Sequence, residues 1–135
     1  MQWGSLVFST DLVSGESDGH VIVALRGELD LADAADVTVV LEALIALEPR
    51  IIVDLSGLEF MDASGVAALL HGRRQARDAG GYLLLAAPQR LVQRVLAIIW
   101  DPDGSSVHAS VAEAAASARA SRQVIVPIPQ PAKMP

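Results

Sequence analysis

The chain contains no cysteine, which excludes disulfide frameworks, thiolate zinc sites, iron–sulfur clusters and cysteine nucleophiles. Aromatic residues make up only 4%, too few for platforms on which nucleobases stack. Basic residues are also scarce: ten Lys plus Arg face sixteen Asp plus Glu, and the formal charge is -6. Such a surface has no field to neutralise phosphates, so no nucleic-acid partner is expected. No apolar run approaches the roughly 18 residues that span a bilayer, and the N-terminal Met1-Gln2-Trp3-Gly4-Ser5 has no basic patch before an apolar stretch. The expectation is a cytoplasmic protein without membrane insertion. A length of 135 residues leaves room for one domain, at roughly 100 to 200 residues each. With 52% hydrophobic residues, that domain has material for a core.

Leu6 to Val13 and His20 to Arg26 are short runs rich in branched residues, separated by a cluster of turn formers, and predict a β-hairpin. From Asp33 a helical period begins, with Val37, Val40, Leu41, Leu44 and Leu47 on one stripe and Pro49 as its stop. Ile51-Ile52-Val53, ending in Asp54, suits a central parallel strand covered on both faces. Residues 57–62 then lead to a second helix from about Ser64 to Ala79, burying Val66, Leu69 and Leu70 and ended by Gly80-Gly81. Tyr82 to Ala86 is the next strand. Pro88 is placed to open a third helix with the stripe Leu91, Val92, Val95, Leu96 and Ile99, terminated by Asp101-Pro102-Asp103-Gly104. A short strand near Ser106 to His108 precedes the capping box Ser110-Val111-Ala112-Glu113, which opens a fourth helix to about Ser121.

This alternation predicts an α/β domain with a four-to-five-stranded mixed sheet and about four helices packed against it. The domain is expected over residues 5–120, followed by a Pro-rich tail, 121–135, read either as unstructured or as an arm docking on a second copy in a homodimer.

In α/β sheets, polar residues with a function gather at the carboxyl ends of strands and at helix N-termini. Glu28, Asp30, Asp54, Ser56, Asp62 and Ser64 fall at such positions. Asp62 reads as the N-cap of the second helix, with Ser64 in the first turn among free backbone amides. On local pattern alone, the reading of both as capping residues only is the stronger one, and geometry by itself does not beat it.

The segments Arg26-Gly27-Glu28-Leu29-Asp30, Ile52-Val53-Asp54-Leu55-Ser56-Gly57-Leu58 and Phe60-Met61-Asp62-Ala63-Ser64-Gly65 closely resemble the STAS domains of bacterial anti-sigma factor antagonists. The likeness covers about residues 5–120. It implies a STAS-like fold and a switch in transcription regulation, not an enzyme. By the same resemblance the serine before the glycine, here Ser64, is the phosphorylation site, and the unphosphorylated form binds the anti-sigma factor. That partner is itself an ATP-dependent serine/threonine kinase, and a PP2C-type phosphatase removes the phosphate. Asp30, Asp62, Ala63, Ser64 and Gly65 are then the partner-binding residues. No cofactor or metal of its own is implied. Relatives often carry Ser or Thr where this chain has Ala63, so Ser64 is the one hydroxyl at the motif.

The same residues admit readings from other classes. A receiver domain would use Asp54, but needs an acidic doublet after the first strand and a lysine after the last, and the one lysine is Lys133 in the tail. A hydrolase would pair Ser64 with His20, His71 or His108, yet Ala63-Ser64-Gly65 lacks the preceding glycine of a nucleophile elbow. A metal site of Glu28, Asp30, Asp54 and Asp62 follows no ligand spacing. A STAS domain without a phosphorylation cycle, as a subunit of a lipid-transport complex or a stress-signalling scaffold, is the closest rival. Arg73, Arg74 and Arg77 form a basic patch, read as a solvated face with an Arg74–Asp78 pair or as a contact for an acidic partner.

Overall fold

A computed structural model describes residues 7–13, 19–100 and 107–123. Its elements are β1 (Val7–Val13), β2 (His20–Leu29), α1 (Leu31–Leu47), β3 (Arg50–Met61), α2 (Ala63–Asp78), β4 (Tyr82–Ala86), α3 (Arg90–Ile99), β5 (Val107–His108) and α4 (Val111–Gln123). The five strands form one sheet in chain order, β1-β2-β3-β4-β5. β1 lies antiparallel to β2 and the remaining pairs are parallel, which is the mixed α/β sheet expected from the alternation.

The period-2 pattern of the strands sorts the core. Val21, Val23, Leu25, Ile51, Val53, Leu83 and Leu85 point to one face, where they pack with Val37 and Leu41 of α1, Val66 and Leu69 of α2, and Val92 and Leu96 of α3. On the other face, Ile52 and Ala86 pack with Ala114 of α4, flanked by Ile22, Tyr82, Leu84 and Val111. Both faces of β3 and β4 are thus covered, which is why their sequences read as unbroken apolar runs.

Several boundaries and faces differ from expectation. α1 starts at Leu31, not Asp33, because Asp30 caps it. Its buried positions are Asp33, Val37, Leu41 and Ile45, a stripe of every fourth residue, which leaves Leu47 84% exposed. β3 does not stop at Asp54 but runs to Met61, so the segment expected as a loop is strand paired with the end of β2. Register shifts between Ala24 and Arg26 and between Gly27 and Glu28 let that pairing continue, with Gly27 at φ 100° taking a conformation few other residues adopt. α2 begins at Ala63 with Leu70 only half-buried, and α3 begins at Arg90 with Leu91 and Ile99 exposed. Trp100 takes the buried place beyond the α3 stripe, and the Arg73 guanidinium stacks 4.7 Å over its ring.

Half of the expected capping box of α4 is present: Ser110 Oγ accepts from Glu113 N–H at 3.0 Å, while Glu113 Oε2 accepts from the N–H of the preceding Ala109 at 3.3 Å and not from that of Ser110. α4 extends to Gln123, two residues past the expected end at Ser121. The hairpin turn before Gly19, the terminator Asp101-Pro102-Asp103-Gly104 and most of the Pro-rich tail lie outside the described residues. Among the described residues, no helix is long and apolar enough to cross a membrane.

Candidate functional site

β2 and β3 end together. Leu29 pairs with Met61 in the parallel register, so the next residues, Asp30 and Asp62, leave the sheet side by side and each caps the helix that follows. Asp30 Oδ1 accepts from Ala32 N–H at 3.0 Å. Asp62 N–H donates to Leu29 O at 3.2 Å, and the Asp62 carboxylate also draws on the Leu31 N–H, so the two turns are stitched to each other.

Asp62 does more than cap. Its Oδ1 accepts from Ser64 N–H at 3.0 Å, from Gly65 N–H at 3.2 Å and from the Ser64 hydroxyl at 2.5 Å. Those bonds, led by the one from the hydroxyl, hold the Asp62 carboxyl below its ordinary range against the opposing effect of burial. The amides expected to be free around Ser64 are therefore occupied: Ser64 and Gly65 by the carboxylate, and Val66 by Asp62 O at 3.2 Å. Ser64 is half-buried with its hydroxyl fixed, while Ala63 is exposed beside it.

Gly65 is buried, and a Cβ there would stand 2.7 Å from Leu29 Cγ and 2.8 Å from Met61 Cγ. The helix start is thereby seated directly on the two strand ends. Gly65→Ala is expected to destabilise by about 1–3 kcal/mol through overpacking. Urea denaturation checks this, and a change below about 0.5 kcal/mol would show that Leu29 and Met61 move aside freely.

The Asp62 interactions make a second expectation. Asp62→Ala should cost about 1 kcal/mol as a lost N-cap, whereas Asp62→Asn keeps a capping oxygen and removes only the charge. A carboxyl held below its ordinary value stabilises the fold above that value and loses this contribution as pH falls through its folded pKa. The stability gap between wild type and Asp62→Asn should accordingly be present at neutral pH and close in acid, below the ordinary pKa of 3.8. A gap that is flat from neutral pH to strong acid would contradict the assignment.

Three features of the site do not follow from the sequence reading. Asp33 is 8% exposed, and its carboxyl is pushed up by burial and by its hydrogen bond and charge interaction with Asp30. Leu31 and Phe60 are 76% and 40% exposed at the two strand ends, giving the acidic pair an apolar rim. The signal for Leu31 is an apolar residue directly after a capping aspartate; Phe60 has none, because its segment reads as loop.

Other candidates are dispersed. His20 starts β2 at the opposite end of the strand, His108 lies on β5, and His71 Nε2 is 3.7 Å from Glu42 Oε1, so none is placed as a base for Ser64. Asp54 Oδ1 accepts from Ser56 N–H at 3.0 Å within β3. Among the described residues, no group of three or more His, Asp or Glu is arranged to hold a metal ion. Arg73 is engaged with Trp100, and among the described residues no ion pair joins Arg74 to Asp78, so the basic patch is reduced to the exposed Arg74 and the neighbouring Arg77.

Comparison with known proteins gives a consistent picture. Residues 13–99 match the family described as "Mlab, STAS domain". The anti-sigma-F factor antagonist RsfA of Mycobacterium tuberculosis is 36% identical over 83 residues, a match covering 58% of this chain and 64% of the relative's own length. Among solved structures, the anti-sigma factor antagonist SpoIIAA in its unphosphorylated form is 26% identical with a TM-score of 0.70, covering 84% of this chain and 97% of that one. The phosphorylated form of SpoIIAA from Bacillus is 25% identical with a TM-score of 0.63, covering 82% of this chain and 98% of that one.

Proposed function

The chain belongs to the STAS domain family, and we propose that it acts there as a cytoplasmic anti-sigma factor antagonist, switched by phosphorylation of Ser64. The observation that carries this reading is the placement of Ser64: a half-buried serine on a rigid, capped helix start, its hydroxyl held by Asp62, with the acidic pair beside it and exposed Leu31, Phe60 and Ala63 at the rim. A partner can cover such a corner with little reorganisation, because both turns are fixed before it arrives. The partner is an anti-sigma factor serine/threonine kinase, which contacts Asp30, Asp62, Ala63, Ser64 and Gly65 and frees its sigma factor on binding. Leu31 and Phe60 add the apolar area that desolvates the contact.

The proposed role is that of a kinase substrate and not of a catalyst. ATP and its metal ion belong to the kinase, and a PP2C-type phosphatase resets the switch. The Asp62 bond orients the Ser64 hydroxyl before transfer; afterwards the same carboxylate opposes the phosphate. Since the Ser64 and Gly65 amides are already held by Asp62, the phosphorylated side chain turns away from that carboxylate and into the space the partner would occupy.

The experiment is a pull-down from the source cell's lysate with wild type, Ser64→Ala and Ser64→Asp as baits. A small ATP-binding kinase recovered by the first two and lost with the third supports the proposal. Recovery of the same transport or scaffold proteins by all three, with Ser64 unmodified, would replace it with a STAS subunit that has no phosphorylation cycle.

A further inference from the structure

α1, α2 and α3 lie in one layer, their buried residues packed on the same face of the sheet. α2 is the middle helix: its His71 faces Glu42 of α1 at 3.7 Å, and its Arg73 lies over Trp100 at the end of α3. Each helix joins two parallel strands, so all three run in the same direction. The solvent side of this layer is not the polar surface that an amphipathic helix normally presents. α1 is apolar there as well, with Ala35, Val39, Ala43 and Leu47 exposed, Val39 at 64%. α3 exposes Leu91, Ile98 and Ile99, Ile98 at 78%.

The charges set among these apolar side chains are sorted by helix. No basic residue lies between Arg26 and Arg50, and the charged groups that α1 exposes are the carboxylates of Asp36 and Glu42. No acidic residue lies between Asp78 and Asp101, and α3 exposes Arg90 and Arg94. Among the described residues, none of Asp36, Arg90 and Arg94 has an ion-pair partner. An acidic apolar helix and a basic apolar helix on either side of a central one make a face that complements itself. A two-fold axis running along α2 between two copies lays α1 of each on α3 of the other, with Asp36 and Glu42 opposite Arg90 and Arg94. The same axis brings Arg74 of each copy toward Asp78 of the other, two exposed residues that form no pair within the chain. A two-fold axis across the helices would instead stack α1 on α1 and α3 on α3 and oppose like charges. The area suffices: helices of 17, 16 and 10 residues, rising about 1.5 Å per residue and about 10 Å wide, present about 650 Å² per copy. The resulting total of about 1,300 Å² falls within the roughly 1,200 to 2,000 Å² of specific complexes.

We propose that the outer face of the α1, α2 and α3 layer is an isologous interface between two copies of this chain, with α1 of each copy seated on α3 of the other. The contact covers the sides of the helices and leaves Ser64, at the start of α2, on its rim.

The test is sedimentation equilibrium of the full chain from about 10 μM to about 1 mM, which should show monomers and dimers in exchange, with association weakening as salt screens the paired charges. Asp36→Arg combined with Glu42→Arg should weaken association at least about tenfold, and so should Arg90→Glu combined with Arg94→Glu. All four substitutions together should restore it, because the charges of α1 and α3 are then exchanged. These side chains are exposed, so each variant should melt close to wild type. A chain that stays monomeric over the whole range would overturn the proposal. So would a dimer indifferent to the charge reversals, or a loss of association that the fourfold variant does not recover.

Discussion

Ser64→Asp is expected to weaken binding to the anti-sigma factor by roughly 100-fold to 1,000-fold or more, with the fold intact. In the proposed complex a charge at residue 64 is covered by the partner beside Asp30 and Asp62. A buried charge without a counter-charge costs about 3 to 5 kcal/mol, and each decade of affinity is about 1.4 kcal/mol. The isolated domain does not bury that charge, since Ser64 is only half-buried and its neighbour Ala63 is exposed. Loss of the 2.5 Å bond to Asp62 and the added like charge should lower stability by no more than about 1 kcal/mol, set against the favourable helix N-terminus. Calorimetric titration of the recovered kinase, together with thermal unfolding of the free proteins, checks both parts. A variant that melts far below wild type would remove the support for a switch at the interface.

Gly81→Ala should be the more damaging change to the fold itself, at roughly 3 kcal/mol. A Cβ on Gly81 would fall far inside contact distance of Pro49 O and Pro49 C, both backbone atoms, so no rotamer change can relieve the overlap. Pro49 O also accepts from Tyr82 N–H at 3.0 Å, and Gly81 N–H donates to Ala76 O at 2.8 Å, so the turns into β3 and β4 are locked to each other where the added methyl would sit. Gly80, one residue earlier, has φ 87°, and a methyl added there would meet nothing within 4 Å, so Gly80→Ala incurs only left-handed strain, about 1 kcal/mol. Denaturant titration of the two variants separates close approach from backbone conformation. Equal losses would mean that the Pro49 contact is easily relieved.

The parts of this structure legible in sequence are those fixed by local signals. β4, the helix ended at Gly80-Gly81 and the caps at Asp62 and Ser110 follow from apolar runs, glycines and side-chain oxygens within a few residues of where they act. β3 beyond Asp54 is not legible, because Ser56-Gly57-Leu58-Glu59 carries turn residues and becomes strand only by pairing with a bulged β2. The same holds for Arg73, whose ring contact with Trp100 joins distant parts of the chain, and for Asp33, whose burial depends on how α1 meets the strand ends. At the site, sequence places Asp30, Asp62 and Ser64 at neighbouring corners but leaves the first-turn amides open. The grip of Asp62 on two of those amides closes them, and in the proposed switch a phosphate on Ser64 is therefore directed at the partner and not at the helix start.

The most direct test of the central claim is incubation of the wild-type chain with ATP and the kinase it captures, followed by mass-spectrometric mapping of the phosphoryl group. The proposed switch predicts a single phosphoryl group on Ser64, none on the Ser64→Ala variant, and release of the kinase in step with modification. Stable binding with Ser64 unmodified, or modification at another residue with the complex intact, would contradict it.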